Sequence, residues 1–177
     1  MEPRTWPERI AVMALVKQKL HDVDVKKRWE YRLPAIKATE EQLVAVEARL
    51  GEALDPSYRA FLAHAGGWPA FLQTIDLFGH ADLLGGSRTE RGAKLLLQLD
   101  EDVLRASGFR REQLLPIAAT LEDVDVFVMT RRSAPKPGMV IWFAREEIDR
   151  FPSFDEYFLA MIDYNRSEID AIVSGKR

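Results

Sequence analysis

The chain has 177 residues, of which 47% are hydrophobic and 30% charged, a composition typical of one ordinary globular domain. Its formal net charge of −3 disfavours nucleic acid as a partner, because domains that bind a duplex usually carry a basic excess. The absence of cysteine excludes disulfides, thiol catalysis and cysteine-ligated zinc, and it fits a reducing compartment.

Residues 1–9 contain no cationic stretch followed by an apolar one, so they do not have the pattern of a signal peptide. No apolar run approaches the roughly 18 residues that a membrane-spanning helix needs. We therefore expect a cytoplasmic protein that has no membrane partner.

The first helix is predicted to begin at Thr5, which can cap it. Pro7 then lies in the first turn and Glu8 stands three residues after the cap. Apolar residues recur at helical spacing until about Val23, where the pattern fades.

A basic stretch at 26–32 surrounds Trp29 and Tyr31. One interpretation is a nucleic-acid patch in which aromatic and basic residues alternate. The other is a solvated connector whose two aromatic side chains pack inward. The acidic residues of the same segment cancel its charge and favour the connector.

Two more helices are predicted before residue 68. Thr39–Gln42 forms a capping box, and Gly51 can end the helix that follows it. Asp55–Pro56 offers a cap followed by a favourable first residue, and Gly66–Gly67 is predicted to end the third helix. The agreement of these local signals makes this the best-defined part of the sequence.

The middle of the chain predicts strands and short helices. Residues 72–78 alternate as a strand would, whereas 94–99 fit either a strand or a helix. Residues 100–107 predict a short helix. Residues 114–118 predict an edge strand or the start of a strand, since Pro116 cannot donate a ladder hydrogen bond.

The final third predicts a hairpin followed by a helix. Residues 125–130 and 139–144 are predicted strands joined by a loop at 131–138. Ser153 is expected to cap the last helix, and 167–173 continues with a further turn or two. Helices thus occupy both ends of the chain and strands lie between them. This order predicts an α+β fold with a mostly antiparallel central sheet packed with helices from both chain ends.

No motif for catalysis or phosphate binding stands out. Gly66–Gly67 lacks the Lys-Ser/Thr pair of a phosphate loop, and no serine lies in a Gly-x-Ser-x-Gly elbow. No two histidines have the i, i+4 spacing of a helical zinc pair. The remaining catalytic hypothesis is a small hydrolase that uses His64, on the third helix, or His80 with a nearby acid.

Two surface features are candidates for partner binding. Glu122, Asp123 and Asp125 form the densest acidic segment. It is interpreted as a solvated turn, as an acidic rim that meets a basic partner, or as a site for a divalent cation or a general acid. Trp68 follows a predicted helix end, where it is either an exposed interface anchor or a buried core residue.

One set of residues resembles the SUKH superfamily, specifically its Smi–Knr branch. The resemblance covers roughly 38–162. Its residues are Ala38–Leu43, Glu47, Leu50–Gly51, Leu54, Tyr58–Leu62, Gly66–Trp68, Leu115–Ala118, Val140–Trp142 and Ser153–Phe158. Two departures are Asp55 between Leu54 and Pro56, and the acidic segment in place of the usual Gly-Asp turn.

The resemblance implies a function as well as a fold. Such proteins are known chiefly as bacterial immunity proteins that bind a cognate toxin, often a nuclease, and their eukaryotic relatives act in cell-wall regulation and signalling. It implies a protein-binding module without catalytic residues, metal or cofactor, whose partner is another protein, most simply a toxin domain. An interaction scaffold of the Smi–Knr type is the alternative. We expect an N-terminal helix and connector at 1–37 and a SUKH-like α+β domain at 38–177, together forming one compact domain.

Overall fold

The computed structural model describes residues 5–176. In this part of the chain, seven α-helices and one 3-10 helix accompany six strands. In chain order they are α1 (Trp6–Val23), α2 (Glu40–Leu50), α3 (Pro56–Leu62), β1 (Trp68–Leu72), β2 (Ile75–Leu77), α4 (His80–Leu83), α5 (Ser87–Leu97), α6 (Glu101–Ser107), the 3-10 helix (Arg111–Gln113), β3 (Leu114–Thr120), β4 (Asp125–Thr130), β5 (Val140–Ala144), β6 (Glu146–Phe151) and α7 (Phe154–Val173).

The six strands form one sheet in which spatial order follows chain order, from β1 to β6, and each neighbouring pair is antiparallel. This meander arises because short connections join each strand to the next one. The predicted α+β class and antiparallel sheet are confirmed. Among the described residues, no helix is both long and apolar enough to cross a membrane.

The predicted helix starts are confirmed by their hydrogen bonds. The Thr39 hydroxyl accepts from the Gln42 amide at 3.2 Å, and the Gln42 side chain accepts from the Thr39 amide at 2.9 Å. Asp55 Oδ1 accepts from the amide of Tyr58 at 3.1 Å, and the Ser153 hydroxyl accepts from that of Glu156 at 3.2 Å. Each cap satisfies amides that the helix itself leaves unpaired.

The sheet is buried on both faces. Along β4, Phe127 and Met129 enter one core cluster, whereas Val126 and Val128 enter the other. This alternation places the two sets on opposite sides of the sheet. We call the first cluster, with α1, α3 and α7, the aromatic layer, and the second, with α5 and α6, the aliphatic layer. Helices from both chain ends therefore cover only one face.

The third helix ends earlier than predicted. It stops at Leu62. Gly66 does not end the helix; it lies where the backbones of neighbouring segments come into close contact. A Cβ at Gly66 would lie 2.0 Å from the carbonyl oxygen of Ile36, and a Cβ at Gly79 would lie 1.6 Å from that of Gly66. Glycine is required at both positions because any side chain would overlap a neighbouring backbone.

The middle of the chain also differs from expectation. The predicted strand at 72–78 is two strands joined at Leu72 and Ile75, and 94–99 belongs largely to α5. The strand β3 begins at Leu114 and is interior, so the interpretation of 114–118 as the start of a strand is confirmed and the edge interpretation is wrong. Pro116 is tolerated because β2 pairs only with residues 118–120, which leaves the start of β3 without a neighbour on that side.

The connector after α1 agrees with the interpretation in which its aromatic side chains pack inward. Trp29 and Tyr31 are half-buried. Tyr31 stacks on His21 with 5.0 Å between ring centroids, and the Trp29 amide donates to Asp24 Oδ2 at 3.0 Å. The Tyr31 ring thus packs against the end of α1, and the backbone of Trp29 is tied to the C-cap residue of that helix.

Candidate protein-binding surface

The acidic turn lies at one end of the sheet. It comprises residues 121–124, between β3 and β4, and Asp125 is the first residue of β4. The strand register places Asp125 opposite Ala144, and Ala144 opposite Glu146. Residues directly opposite each other in an antiparallel sheet project from the same face. Asp125 and Glu146 therefore share one face at this end.

The next row of the same face is aromatic and acidic. Phe127 lies opposite Trp142, which lies opposite Asp149. The rings of Phe127 and Trp142 stack at 5.0 Å, and Trp142 Nε1 donates to Asp125 Oδ1 at 2.7 Å. The two rows are thus joined by a hydrogen bond between an indole and a carboxylate.

Helix α7 completes this surface with Tyr164. Its ring meets Trp142 edge-on at 5.5 Å, and its hydroxyl donates to Asp149 Oδ2 at 3.1 Å. Both aromatic side chains remain half-exposed. We call Asp125, Trp142, Glu146, Asp149 and Tyr164 the acidic–aromatic patch.

The electrostatics of the patch favour a cationic ligand. Burial raises the pKa of Asp125, and the nearby Asp123 carboxylate adds to that rise, while the hydrogen bond from Trp142 opposes it. Burial also raises the pKa of Tyr164, and its hydrogen bond to Asp149 contributes in the same direction. A cation placed beside Asp125 would relieve this cost, and the faces of Trp142 and Tyr164 attract cations as well.

The backbone of the acidic turn is held in place by α5. Arg91 donates to the carbonyl oxygen of Thr120 at 3.2 Å and to that of Asp123 at 2.5 Å. The Glu122 amide donates to the Thr120 hydroxyl at 3.2 Å. Glu122 and Asp123 are exposed on this rigid turn. Among the described residues, no group of three histidine or acidic side chains could hold a metal ion.

Trp68 does not belong to the surface. It is fully buried, and its Nε1 donates to the carbonyl oxygen of Arg32 at 2.9 Å. Its ring packs 5.7 Å from that of Phe71. The interpretation of Trp68 as an exposed anchor is wrong, because the residue begins β1 and the connector covers it.

The two histidines of the hydrolase hypothesis occupy separate settings. His64 is exposed, lies just past α3, and has its Nδ1 2.8 Å from the carbonyl oxygen of Ala60. His80 begins α4 and packs against Gly66, whose Cβ would lie 3.1 Å from the imidazole Cε1. Within residues 5–176, neither imidazole hydrogen-bonds to a carboxylate, as an acid–base pair would require.

Sequence reasoning missed Trp142, Asp149 and Tyr164 as surface residues. Trp142 lies within the apolar strand predicted at 139–144, and Asp149 lies in β6, which was not predicted. The available signal was the alternation of β6, where apolar Ile148 is exposed and its neighbours Glu147 and Asp149 are half-buried. That pattern is readable only once the pairing with β5 is known.

A comparison with protein families now identifies the chain. The model of the SMI1/KNR4 family (SUKH-1) matches residues 37–160. The chain belongs to this family. No curated protein matches it. The match includes the acidic turn and every residue of the acidic–aromatic patch except Tyr164, which lies on α7 beyond residue 160.

Proposed function

We propose that this SUKH-1 protein is a non-enzymatic binding module of the bacterial cytoplasm, and that it neutralises a cognate toxin by direct contact. Family membership supports the role of a binding module. The observation that carries the choice of surface is the half-exposed pair of Trp142 and Tyr164, each hydrogen-bonded to a carboxylate. Tyr and Trp are enriched among residues that dominate binding energy at protein interfaces.

The chemistry of the surface indicates a basic partner. Asp125, Glu146 and Asp149 surround the exposed aromatic faces, and Glu122 and Asp123 extend the negative charge along the turn. Such a surface attracts a positively charged protein and accelerates association. A nuclease toxin has a basic substrate-binding face, which this acidic surface would cover, so that binding alone would block access to nucleic acid.

The division of the chain is part of the same proposal. The family match covers residues 37–160, which supports a SUKH-like unit that begins near residue 38 and residues 1–37 as an addition. Helix α1 of this addition packs against α7, where Trp6 joins the aromatic layer. We propose that α1 stabilises the domain from the side of the sheet that also bears Tyr164.

Co-expression with the toxin encoded beside the gene tests the proposed function. We expect the wild-type chain to restore growth and to form a complex measurable by calorimetry. The double variant Asp125→Asn/Asp149→Asn keeps both hydrogen-bond acceptors but removes two charges, and it should weaken binding by at least about tenfold. The matched control Asp22→Asn/Glu41→Gln removes two exposed charges outside the patch and should bind as the wild type does.

Two results would overturn the proposal. Failure of the wild-type chain to protect cells or to bind would exclude a role in immunity. Equal binding by the patch variant and its control would exclude the patch as the contact surface. If the chain binds a host protein instead of a toxin, the scaffold of the Smi–Knr type replaces the immunity protein.

A further inference from the structure

A depression of about 250 Å³ lies on the other side of the acidic turn, at the margin of the aliphatic layer. Apolar side chains form its floor and polar ones its rim. The floor is Leu95, Leu99 and Val124, and the rim is Gln98, Asp100 and Arg145. Because Val124 belongs to the acidic turn, the depression is continuous with the proposed partner-binding surface.

The charged groups on the rim are not used by the fold. Asp100 is the N-cap residue of α6, yet its carboxylate makes no capping hydrogen bond. In the part of the chain that the structure describes, Asp100 and Arg145 form no ion pair with each other or with any other side chain. An anion and a cation are therefore both available to a ligand in the depression.

Arg145 also has an unusual backbone. It is the turn residue between β5 and β6, with φ at 66°, a left-handed conformation that glycine or asparagine adopts more readily than arginine. Unfavourable backbone conformations persist where the surrounding structure enforces them, and they occur often at functional sites. The left-handed backbone of Arg145 and its unpaired guanidinium are two observations that do not depend on the presence of the depression.

Hydrogen bonds from arginine side chains to backbone carbonyls hold the walls of the depression. Arg111 donates to the carbonyl oxygen of Leu96 at 3.1 Å and to that of Leu99 at 2.7 Å, which fixes the end of α5. Arg91 fixes the opposite wall through the carbonyl oxygen of Asp123. A preformed site loses less entropy when it binds a ligand.

We propose that this depression receives one apolar side chain of the protein partner, next to a basic residue that pairs with Asp100. Arg145 donates to a backbone carbonyl or a carboxylate of the same segment. At about 250 Å³ the depression is large enough to admit an apolar side chain. The partner is basic and meets the adjoining acidic turn, which supplies the charge complementarity. This inference rests on the proposed function.

Filling the depression with a large side chain tests this proposal directly. Gln98→Trp places an indole at the rim from an exposed helix end and should weaken binding of the toxin encoded beside the gene by at least about tenfold. Ala93→Trp adds the same ring at an exposed position of α5 outside the depression, and it should bind as the wild type does. Thermal unfolding of both variants would show that each remains folded.

A second variant separates binding from stability. Arg145→Asn suits the left-handed backbone better, so its melting temperature should equal or exceed that of the wild type. Its affinity for the same toxin should nevertheless fall by at least about tenfold. A residue with a merely structural role would not give a fall in affinity without a fall in stability.

The outcomes distinguish this inference from the proposed function. If the wild-type chain binds no toxin, the proposed function fails and the inference falls with it. If the wild type binds but Gln98→Trp matches Ala93→Trp and Arg145→Asn keeps full affinity, the depression alone is rejected. In that case the weakening by Asp125→Asn/Asp149→Asn would still support the acidic–aromatic patch.

Discussion

The two layers that cover the sheet differ in composition and in origin. The aromatic layer joins both ends of the chain: the ring centroid of Trp6 lies 5.5 Å from that of Phe61, 5.5 Å from Phe154 and 5.3 Å from Phe158. The helices of the aliphatic layer are α5 and α6, which are close to β3 and β4 in the chain, and leucine is the commonest residue of its core. Large rings from distant segments hold the chain ends together, whereas the smaller side chains pack more locally.

The layers also differ in how they contact the edges of the sheet. Helices α1 and α7 bring buried polar groups to the outer strand β1: Lys17 Nζ donates to the carbonyl oxygen of Ala70 at 2.6 Å, and Asn165 Nδ2 donates to that of Phe71 at 3.1 Å. An uncovered strand edge invites pairing with another chain. The aromatic layer therefore protects an edge, while the aliphatic layer leaves a depression at its margin. The first layer thus protects the sheet edge and carries Trp142 and Tyr164 of the acidic–aromatic patch at its margin, whereas the second layer borders the depression.

The largest expected effect on the free energy of unfolding comes from truncating one buried residue in each layer. Phe158→Ala should lower the free energy of unfolding by about 4 kcal/mol, because it leaves a cavity among rings from both chain ends. Leu104→Ala, in the short helix α6, should cost only about 2 kcal/mol since the margin can relax into the space. Denaturant titration measures both, and equal costs would contradict the contrast between the layers.

The next effect concerns the buried cation of the aromatic layer. Burial lowers the pKa of Lys17 to about 8, from 10.5 for the free side chain. The unfolded chain therefore binds more protons between these values, and this group makes stability rise by about 3 kcal/mol as pH increases from 8 to 10.5. Below pH 8 the full free-energy cost of burying the protonated Lys17 side chain is present.

Lys17→Met should remove that rise and leave a flatter pH profile, measured by denaturant titration from pH 7 to 10.5. Lys19→Met, an exposed neighbour on α1, should keep the wild-type profile. Burial raises the pKa of Tyr58 and Tyr157, so stability falls above about pH 10 in all three proteins. A wild-type profile that matches that of Lys17→Met would show that Lys17 is not buried as a cation.

The smallest effect lies at the exposed margin of the aromatic layer. Tyr164→Phe removes the hydrogen bond to Asp149 and should lower the free energy of unfolding by about 1 kcal/mol. Tyr31→Phe, whose ring stacks on His21, serves as the matched control and should change stability little. A loss for Tyr164→Phe no larger than the small one of the control would mean that the hydrogen bond of the Tyr164 hydroxyl contributes nothing to the fold.

Much of the fold was predictable from local sequence. The caps at Thr5, Thr39, Asp55 and Ser153 each begin a helix, because a cap side chain bonds to amides two or three residues away. The hairpin of β4 and β5 was predictable for a similar reason, since both strands and their loop are contiguous. The strand β6 was missed because Glu146–Phe151 is rich in charged residues and has low intrinsic strand propensity.

The candidate surface was only partly predictable. The acidic segment from Glu122 to Asp125 was visible as a cluster of charge. Its aromatic neighbours were not, because the exposure of Trp142 depends on how far α7 extends across the sheet. The two interpretations of Trp68 could not be separated for the converse reason, since nothing in its own segment shows that the connector covers it.

The sequence by itself determined the N-terminal boundaries of α1, α2, α3 and α7, the family and the α+β class, which depend on hydrogen bonds and apolar spacing within a few residues. Only the tertiary structure decided which face each side chain occupies. The approach of Gly79 to Gly66, the burial of Lys17 and Trp68, and the depression beside Arg145 all arise where segments distant in the chain meet. Such contacts depend on the register of the strands and on the packing of helices across them, and short-range patterns carry no information about either.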